Sequence, residues 1–328
     1  MNTARATVIL LVGSFWVALS AGAQVRDPAP SFPSRPIRWV VPVPIGGTND
    51  ILSRLFGPKI HAAWGQQVIV DNRPGGAFVI GSDIVAKGNP DGHTVGTLLT
   101  PHIVNPFVLK DLPYDTLRDF TPVILAASTP NVLVVHPSMP VRNVRDFVVL
   151  AKRRPNEIAY ASSGVGGASY LATEMFKLET GIKMIHVPYK GTAPALTAIL
   201  SGEVQAMIAA LPGTVPNLKA GQLRALGVTS AKRASAMPEL PTLIESGIKG
   251  FEFATWYGLF APGGVSRDIV TRLNTSINKI LAMPDVKAQF ERQGLEPAGG
   301  STEEFARYFK GEIEKLGKVI RASGAKVE

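Results

Sequence analysis

Short runs of consecutive apolar residues alternate along this sequence with stretches in which apolar residues recur every three or four positions. Residues 37–43 form one such run, which is typical of a strand buried on both faces. Leu52, Leu55 and Phe56 then recur at helical spacing. The same succession of strand and helix continues along the chain, and it predicts an α/β fold with mainly parallel sheets.

The later elements follow from the same two patterns. Further strands are predicted at residues 67–70, 94–99, 131–136, 158–162, 184–188, 204–209 and 223–229. Further helices are predicted through 80–85, at 144–153, from the loop 164–169 to 178, at 192–200, between the last two strands, at 266–281 and from a cap at Thr302. Thr48 or Asp50 is expected to cap the first helix, and Gly57-Pro58 to kink or end it. The Pro-rich passage 101–122 carries no predicted helix.

Length and the first residues indicate an exported protein with two lobes. The chain has 328 residues, of which 45% are hydrophobic and 18% charged, and this size suits two globular lobes better than one. Residues 6–19 are apolar apart from small and hydroxyl residues, and residues 20–23 carry small side chains. The run is shorter than the ~20 apolar residues of a membrane-spanning helix, so it predicts a signal peptide (residues 1–23), cleavage after Ala23 and a periplasmic protein.

Cysteine content and charge exclude several functional classes. The sequence contains no cysteine, which rules out disulfides, thiolate metal sites, a cysteine nucleophile and a lipid-anchored cysteine. The formal net charge is +9, but Lys and Arg are spread along the chain and no basic run is interleaved with aromatic residues. Nucleic acid is therefore not expected as a partner, whereas steering of a small anion is compatible with the charge.

Three loops that follow predicted strands are rich in glycine and hydroxyl residues: 44–50, 162–169 and 190–192. In parallel α/β sheets, ligands collect at the carboxyl ends of the strands, where a loop leads into a helix. Glycine lets the backbone approach a ligand closely, and the free N–H groups at a helix start attract anions. A carboxylate satisfies these features without an arginine, although ordinary tight turns with helix caps remain an alternative for each loop.

Catalytic and metal motifs are missing from the sequence. Residues 164–167 follow a strand, but no third glycine completes a dinucleotide fingerprint and no Gly-Lys-Ser/Thr follows. No Gly-x-Ser-x-Gly elbow occurs, and the five histidines show no metal-binding spacing. Asp50, the carboxylate nearest to a glycine loop, is expected to cap its own helix. We therefore expect no catalytic residue, no metal and no cofactor, while Trp256 and Tyr257 are expected either to wall a cleft or to pack in the core.

A set of short motifs runs in order along the chain, and one of them is His102 followed by Asn105-Pro106. The other motifs lie at residues 34–50, 70–76, 90–92, 112–115, 134–137, 160–162, 186–191, 223–226, 229–233 and 256–262. This ordered set resembles the Bug family, the substrate-binding proteins of tripartite tricarboxylate transporters. Each motif is modest alone, but the set covers nearly all of the chain after residue 23 and is highly specific.

The resemblance implies a type II periplasmic binding protein fold, in which two α/β lobes are joined by two crossover strands and hold the ligand between them. The crossings would fall near residues 131–136 and 252–256. One lobe would then comprise residues 24–131 plus 254–328, and the other residues 132–253. The ligand would be a small dicarboxylate, tricarboxylate or aromatic acid, and the partner of the monomeric receptor would be the integral-membrane permease of the transporter. Two alternatives stay open: an exported, hydrolase-like enzyme on the same fold, and a ligand-sensing partner of a signalling receptor.

Departures from the family pattern bear on the ligand. The second loop usually carries an Asn, a run of Ser and Thr and a His, where this chain has Val165, Gly167, Ala168 and Tyr170. Ala209-Ala210 replaces an Asp-Asn pair that could receive an ammonium group, which favours a plain or aromatic carboxylate over an amino acid. The loops and the resemblance together give the candidate ligand-binding residues Pro44, Ile45, Gly46, Gly47, Thr48, Asp50, Thr97, His102, Ser162, Gly166, Gly167, Ser169, Lys190, Gly191, Thr192, Ala209 and Trp256.

Overall fold

The computed structural model describes residues 32–189 and 191–324, so the predicted signal peptide and Lys190 lie outside the described residues. The strands are β1 (Ile37–Val41), β2 (Val68–Asn72), β3 (Thr94–Leu99), β4 (Phe120–Val135), β5 (Ala159–Ser162), β6 (Ile185–Pro188), β7 (Ala206–Ala210), β8 (Arg224–Val228), β9 (Ala254–Pro262) and β10 (Glu296–Pro297). The helices are α1 (Thr48–Trp64), α2 (Val79–Ala86), α3 (Pro101–Val108), α4 (Val144–Arg153), α5 (Ala168–Thr180), α6 (Thr192–Leu200), α7 (Leu211–Lys219), α8 (Arg267–Leu281), α9 (Pro284–Gln293) and α10 (Thr302–Ser323).

Two groups of parallel strands flank a pair of long antiparallel ones. β1 lies between β2 and β3 and is parallel to both. On the other side β5 lies between β6 and β7, again in parallel. β9 pairs antiparallel with β3 and with β4, and β4 pairs antiparallel with β7 and β8. The predicted α/β class is confirmed, because helices connect the parallel strands within each group.

β4 carries the chain from one group of strands to the other. Residues 120–130 pair with β9, whereas residues 131–135 pair with β7 and β8. The chain returns just before β9, where the Phe253 amide donates to the Thr229 carbonyl and Ala254 pairs with Pro130. We call β1–β3, β9 and β10 with α1–α3 and α8–α10 lobe 1, and β5–β8 with α4–α7 lobe 2. The lobe bounds that the resemblance implies, 24–131 plus 254–328 and 132–253, stay a prediction.

The sequence allowed the first helix to end at Gly57-Pro58, but in the structure it continues past this pair. α1 continues to Trp64, and Phe56 and Ile60 on either side of the pair are both buried in the core of lobe 1. A proline inside a helix costs about 3 kcal/mol, and burial of each large apolar side chain contributes roughly 1.5–3 kcal/mol. Tertiary packing therefore outweighs the local penalty. The N-cap is Gly47, without a side-chain hydrogen bond, rather than Thr48 or Asp50.

Two helices, α3 and α9, were not predicted from the sequence, and each begins with a proline. α3 occupies the passage that was predicted to have no helix, and α9 follows α8 directly. Proline is well tolerated in the first helical turn, where its missing N–H would have no partner, so Pro101 and Pro284 mark helix starts. The strand predicted from residue 131 begins much earlier, at Phe120. At the last helix the cap is Ser301, which forms a capping box with Glu304, and Thr302 is the first helical residue.

No helix among the described residues is both long enough and apolar enough to pass through a bilayer.

Candidate ligand-binding cleft

A cavity of about 390 Å³ lies between the two lobes. The side of lobe 1 is formed by the turn before α2, the end of β3 and one face of α3, and the side of lobe 2 by the loops before α5 and α6. Thr255, at the start of β9, lines it where the chain crosses between lobes. The full lining is Ala77, Phe78, Leu99, Thr100, Pro101, Val104, Asn105, Val108, Leu109, Ser163, Val165, Gly166, Gly167, Ala168, Gly191, Thr192 and Thr255. The cavity is therefore an interlobe cleft.

The amino ends of three helices meet at this cleft. Pro101 opens α3, Ala168 opens α5 and Thr192 opens α6, and all three residues line the cavity. A helix amino end carries roughly half a positive elementary charge and free backbone N–H groups, so it attracts anions. The described lining contains no Asp, Glu, Lys or Arg. Within the described lining, the backbone dipoles at these helix ends therefore favour a negatively charged group.

The loop before α5, residues 162–168, presents backbone donors. Gly164 and Gly166 have φ angles of +113° and +79°, a region that L-residues rarely adopt. The Gly167 amide donates to the Gly164 carbonyl, whereas the amides of Val165, Gly166 and Ala168 have no acceptor among the described residues. A methyl group added at Gly166 would lie 3.4 Å from Val104 Cγ1 on the opposite wall. Glycine therefore keeps these donors accessible from the cleft.

The wall of lobe 1 contains a strained turn held by an asparagine. Ala77 and Phe78 have φ angles of +51° and +73°, which cost roughly 1–3 kcal/mol each in non-glycine residues. Asn105 Nδ2 donates to the Ala77 carbonyl oxygen at 2.9 Å and thereby holds this turn against α3. The hydroxyl of Thr100, at the start of α3, is buried and has no hydrogen-bond partner among the described residues. Strain and an unsatisfied donor both lie at the cleft, as is common at binding sites.

Four predicted site residues line the cleft: Gly166 and Gly167 from the second glycine loop, and Gly191 and Thr192 from the third. Two more, Ser162 and Ser169, lie behind the second loop. The Ser169 hydroxyl accepts from the Ser163 amide at 2.8 Å, and the Ser162 hydroxyl accepts from the Gly164 amide at 3.1 Å. Lys190 lies outside the described residues. The second and third loops are thus brought together, with the serines as supports of the backbone.

The first glycine loop does not reach this cavity. Pro44, Ile45 and Gly46 are exposed, Gly47 and Thr48 are half-buried, and none of them belongs to its described lining. Asp50 accepts hydrogen bonds from the Gly46 amide and from Arg54, so it braces the loop before α1 without serving as the N-cap of that helix. Burial by itself would raise the pKa of Asp50, but hydrogen bonds from Arg54, Gly46 and Asn72 outweigh it and hold this pKa below its ordinary value.

Four other predicted site residues lie in the core instead of the cleft. Trp256 is fully buried among the rings of Phe305 and Phe309, so core packing and not a cleft wall is its role. Thr97 accepts from Trp39 Nε1 and its carbonyl from Asn49, inside lobe 1. Ala209 is a buried residue of β7 and pairs with Val132, and His102 is described next.

His102 points away from the cavity because of the face it occupies on α3. Residues 101, 104, 105 and 108 of this helix line the cleft, whereas His102 stacks on Phe309 and packs edge-on against Phe120. Burial lowers its pKa to about 3, so the ring is neutral. Neither ring nitrogen has a partner among the described residues. His102 therefore lies on the helix that lines the cleft, but on the face that packs into the core.

The predicted site residues include none of the described lobe 1 wall, namely Ala77, Phe78, Leu99, Thr100, Pro101, Val104, Asn105, Val108 and Leu109, and they omit Thr255 as well. A usable signal was present, because Pro101 directly follows a predicted strand and Val104 and Val108 recur at helical spacing. Reading Pro101 as a helix start would have placed a third helix amino end at the same sheet edge. The strained turn at Ala77 has no comparable signal.

Comparisons with known proteins cover nearly the whole chain. Residues 53–325 match the family described as "Tripartite tricarboxylate transporter family receptor". The chain is 41% identical over 320 residues to the "UPF0065 protein in tcbD-tcbE intergenic region" of Pseudomonas sp. (strain P51), covering 97% of this chain and 94% of that relative. It is 33% identical over 330 residues to protein BugT of Bordetella pertussis, covering 100% of both. The solved structure "R. palustris Rpa4515 with adipate" has a TM-score of 0.76 at 39% identity, covering 90% of this chain and 100% of that one.

Proposed function

This chain belongs to the tripartite tricarboxylate transporter receptor family, of which the Bug proteins are members, and on that premise we propose that it captures a small organic carboxylate between its lobes and delivers it to the membrane permease of such a transporter. The observation that carries the proposal is the meeting of three helix amino ends, from both lobes, at one cavity without charged side chains in its described lining. Each such helix end contributes typically 0.3–1 kcal/mol to an anion, and more when partly buried.

The remaining lining favours an apolar ligand body. Phe78, Val104, Val108 and Leu109 surround the space between the helix ends. A second carboxylate of the ligand would have to reach donors beyond these apolar side chains, because an unpaired buried charge is costly. Thr255 offers a hydroxyl group that can satisfy one further polar group of the ligand. We propose a carboxylate with an aliphatic or aromatic body, and the relative with adipate at 39% identity supports this class.

We propose that the protein performs no chemistry on this ligand. Ser162 and His186 are in hydrogen-bond contact, which is the pairing a hydrolase would need. The Ser162 hydroxyl, however, is fully buried and already accepts from the Gly164 amide, so it cannot reach a substrate carbonyl. Within the residues the structure describes, no group of three or more His, Asp or Glu side chains is arranged to hold a metal ion. Turnover of a bound acid by purified protein would contradict the proposal.

Members of this receptor family are periplasmic, and we propose that this chain is released by cleavage after Ala23 and acts as a monomer. In our proposal residues 24–131 with 254–328 close against residues 132–253 about the two crossing segments. Closure would bring the donors of the loop before α5 against the start of α3, and the closed form would dock on the permease. A signalling receptor that captures the ligand-loaded protein, in place of a permease, would instead support the sensor alternative.

A thermal-shift screen of residues 24–328 tests the ligand class. We expect adipate, benzoate and phenylacetate to raise the melting temperature, whereas adipamide and benzamide leave it unchanged because the amides lack the negative charge. At a concentration about one hundred times Kd, binding to the folded state alone stabilises by about 2.7 kcal/mol. Equal shifts with acids and amides would contradict recognition of a carboxylate by helix amino ends. Calorimetry on the strongest acid then gives its Kd.

Substitution Gly166→Ala tests the loop before α5. Both Gly166 and Gly181 have φ near +70° to +80°, so alanine costs about 1–2 kcal/mol of folding stability at either position. The Gly166 methyl would also contact Val104 across the cleft, whereas nothing lies within 4 Å of the Gly181 methyl. We expect Gly166→Ala to weaken binding of the strongest acid about tenfold, a change of about 1.4 kcal/mol. Gly181→Ala should lower the melting temperature similarly but leave Kd unchanged. Equal Kd values for both variants would show that Gly166 is not part of the binding site.

A further inference from the structure

A serine–histidine contact lies directly behind the loop that presents backbone donors. The Ser162 hydroxyl is 2.7 Å from Nε2 of His186, which is on β6 next to β5. The imidazole stacks on Tyr160 with ring centroids 5.0 Å apart and an interplanar angle of 23°. Tyr170 of α5 packs on it with centroids 4.8 Å apart. His186 does not line the cavity, so it can affect ligand binding only through the loop before α5.

The hydrogen bonds of Ser162 fix the protonation state of the ring. The hydroxyl oxygen accepts from the Gly164 amide at 3.1 Å, and its own proton needs an acceptor because the side chain is fully buried. Nε2 of His186 is the acceptor that the described residues provide. The Ser162 hydroxyl can donate to Nε2 only when the imidazole is neutral and carries its proton on Nδ1. The ring is half-buried, so Nδ1–H can be hydrated.

We propose that His186 is a positioning residue for ligand capture: its neutral Nε2 orients the Ser162 hydroxyl, which in turn holds the Gly164 amide and so fixes the loop of backbone donors before α5. Protonation of Nε2 turns this acceptor into a donor. The Ser162 hydroxyl oxygen then faces two donors, Nε2–H of His186 and the Gly164 amide, while its own proton has lost its acceptor. Its hydrogen bond with the Gly164 amide therefore weakens. The proposal rests on the proposed function only for its consequence in binding, since the state of the loop can be measured without a ligand.

The groups around His186 decide the pH range in which its imidazole takes up a proton. The groups that face the ring are Tyr160 from β5, and Tyr170, Glu174 and Lys177 from α5. Burial lowers the pKa of His186 below its ordinary value of 6.5; Glu174 opposes this shift and Lys177 adds to it. The unfolded chain therefore takes up the proton at a higher pH than the folded chain does. The contribution of His186 to stability is complete above about pH 6.5 and falls as the pH is lowered below it.

Nuclear magnetic resonance of the imidazole nitrogens in the ligand-free protein, residues 24–328, tests the first step. We expect the proton of His186 on Nδ1 at about pH 7.5, and a titration midpoint below that of an unperturbed histidine. Ser162→Ala removes the hydroxyl. In this variant His186, and no other histidine, should lose its preference for the tautomer with the proton on Nδ1. A proton on Nε2 in the wild-type protein would overturn the proposal.

Hydrogen exchange at the Gly164 and Gly167 amides, corrected for the intrinsic effect of pH, tests the second step. We expect their protection to be about fivefold lower in His186→Phe, which keeps a stacking ring but lacks the acceptor, and at least as low in Ser162→Ala, which removes the acceptor of the Gly164 amide. In wild type the same loss should develop at a pH below the ordinary histidine pKa of 6.5, because burial lowers the pKa of His186. His186→Gln, whose amide oxygen can accept from Ser162 but does not titrate, should restore protection and keep it constant with pH.

A second serine–histidine contact in the same lobe serves as the matched control. Nδ1 of His136 is 2.7 Å from the Ser138 hydroxyl, in an exposed position away from the cavity. His136→Phe and Ser138→Ala should leave the Gly164 and Gly167 amides unchanged. Unaltered protection in His186→Phe, or a pH profile shared by wild type and His186→Gln, would refute the role of His186. If protection changes as expected while no carboxylate binds, the proposed function fails and the positioning role stands.

Discussion

Replacing Val108 by tryptophan is expected to abolish carboxylate binding while the protein stays folded. Val108 lies in the last turn of α3, on the face that lines the cleft, and it is only half-buried. The indole would project into the roughly 390 Å³ cavity, in the space that we assign to the ligand body. We expect Kd for the strongest acid to rise at least about one hundredfold, which corresponds to about 2.7 kcal/mol. Titration calorimetry measures the change.

Val149→Trp is the matched control for this variant. Val149 lies on α4 of lobe 2 with 44% of its surface exposed, and it does not line the cleft. The control makes the same substitution on a helix, so it accounts for any effect of an added indole on solubility or helix stability. We expect it to bind like wild type. If Val108→Trp also bound with wild-type affinity, the ligand would occupy a site other than the interlobe cavity.

Gly317→Ala is expected to destabilise the protein by about 2 kcal/mol, since overpacking a well-packed core typically costs 1–3 kcal/mol. Gly317 is buried on α10, and an added methyl group would lie 2.5 Å from Cζ and 2.8 Å from Cε1 of Phe107. Phe107 belongs to α3, the helix that lines the cleft, so the clash would push α10 away from α3. For a domain of this size the melting temperature should fall by roughly 4–8 °C, as calorimetric unfolding can measure.

Gly311→Ala in the same helix should have the opposite effect. Nothing lies within 4 Å of a methyl group at this position, so alanine adds only its better helix propensity. We expect Gly311→Ala to stabilise the protein by about 0.5–1 kcal/mol. Equal effects of the two substitutions would show that α10 does not pack closely on α3. The pair therefore separates packing from propensity within one element.

The sequence predicted the elements best where one local rule was enough. The bounds predicted for α4, α6 and β3 agree with the structure, because helical spacing or a short apolar run is unbroken there. Gly57-Pro58 was predicted to kink or end α1 and does not end it, and α3 and α9 were left out, because proline has opposite meanings in the middle and in the first turn of a helix. Only packing against the core distinguishes these two situations.

For the site, the sequence by itself determined the chemistry of the donors but not the set of residues that share a cavity. The glycines of the second and third loops identified backbone amides at helix starts, because the pattern of strand, glycine turn and helix is local. Which helices face each other depends on how β4 crosses between the lobes, and the face of α3 that meets the cleft depends on a rotation of about 100° per residue. That rotation buries His102 and exposes Val104 and Val108 to the cavity. Contacts between residues far apart in the chain are fixed by the three-dimensional packing of the lobes, so the Gly166–Val104 gap and the Ser162–His186 bond were decided by the tertiary structure alone.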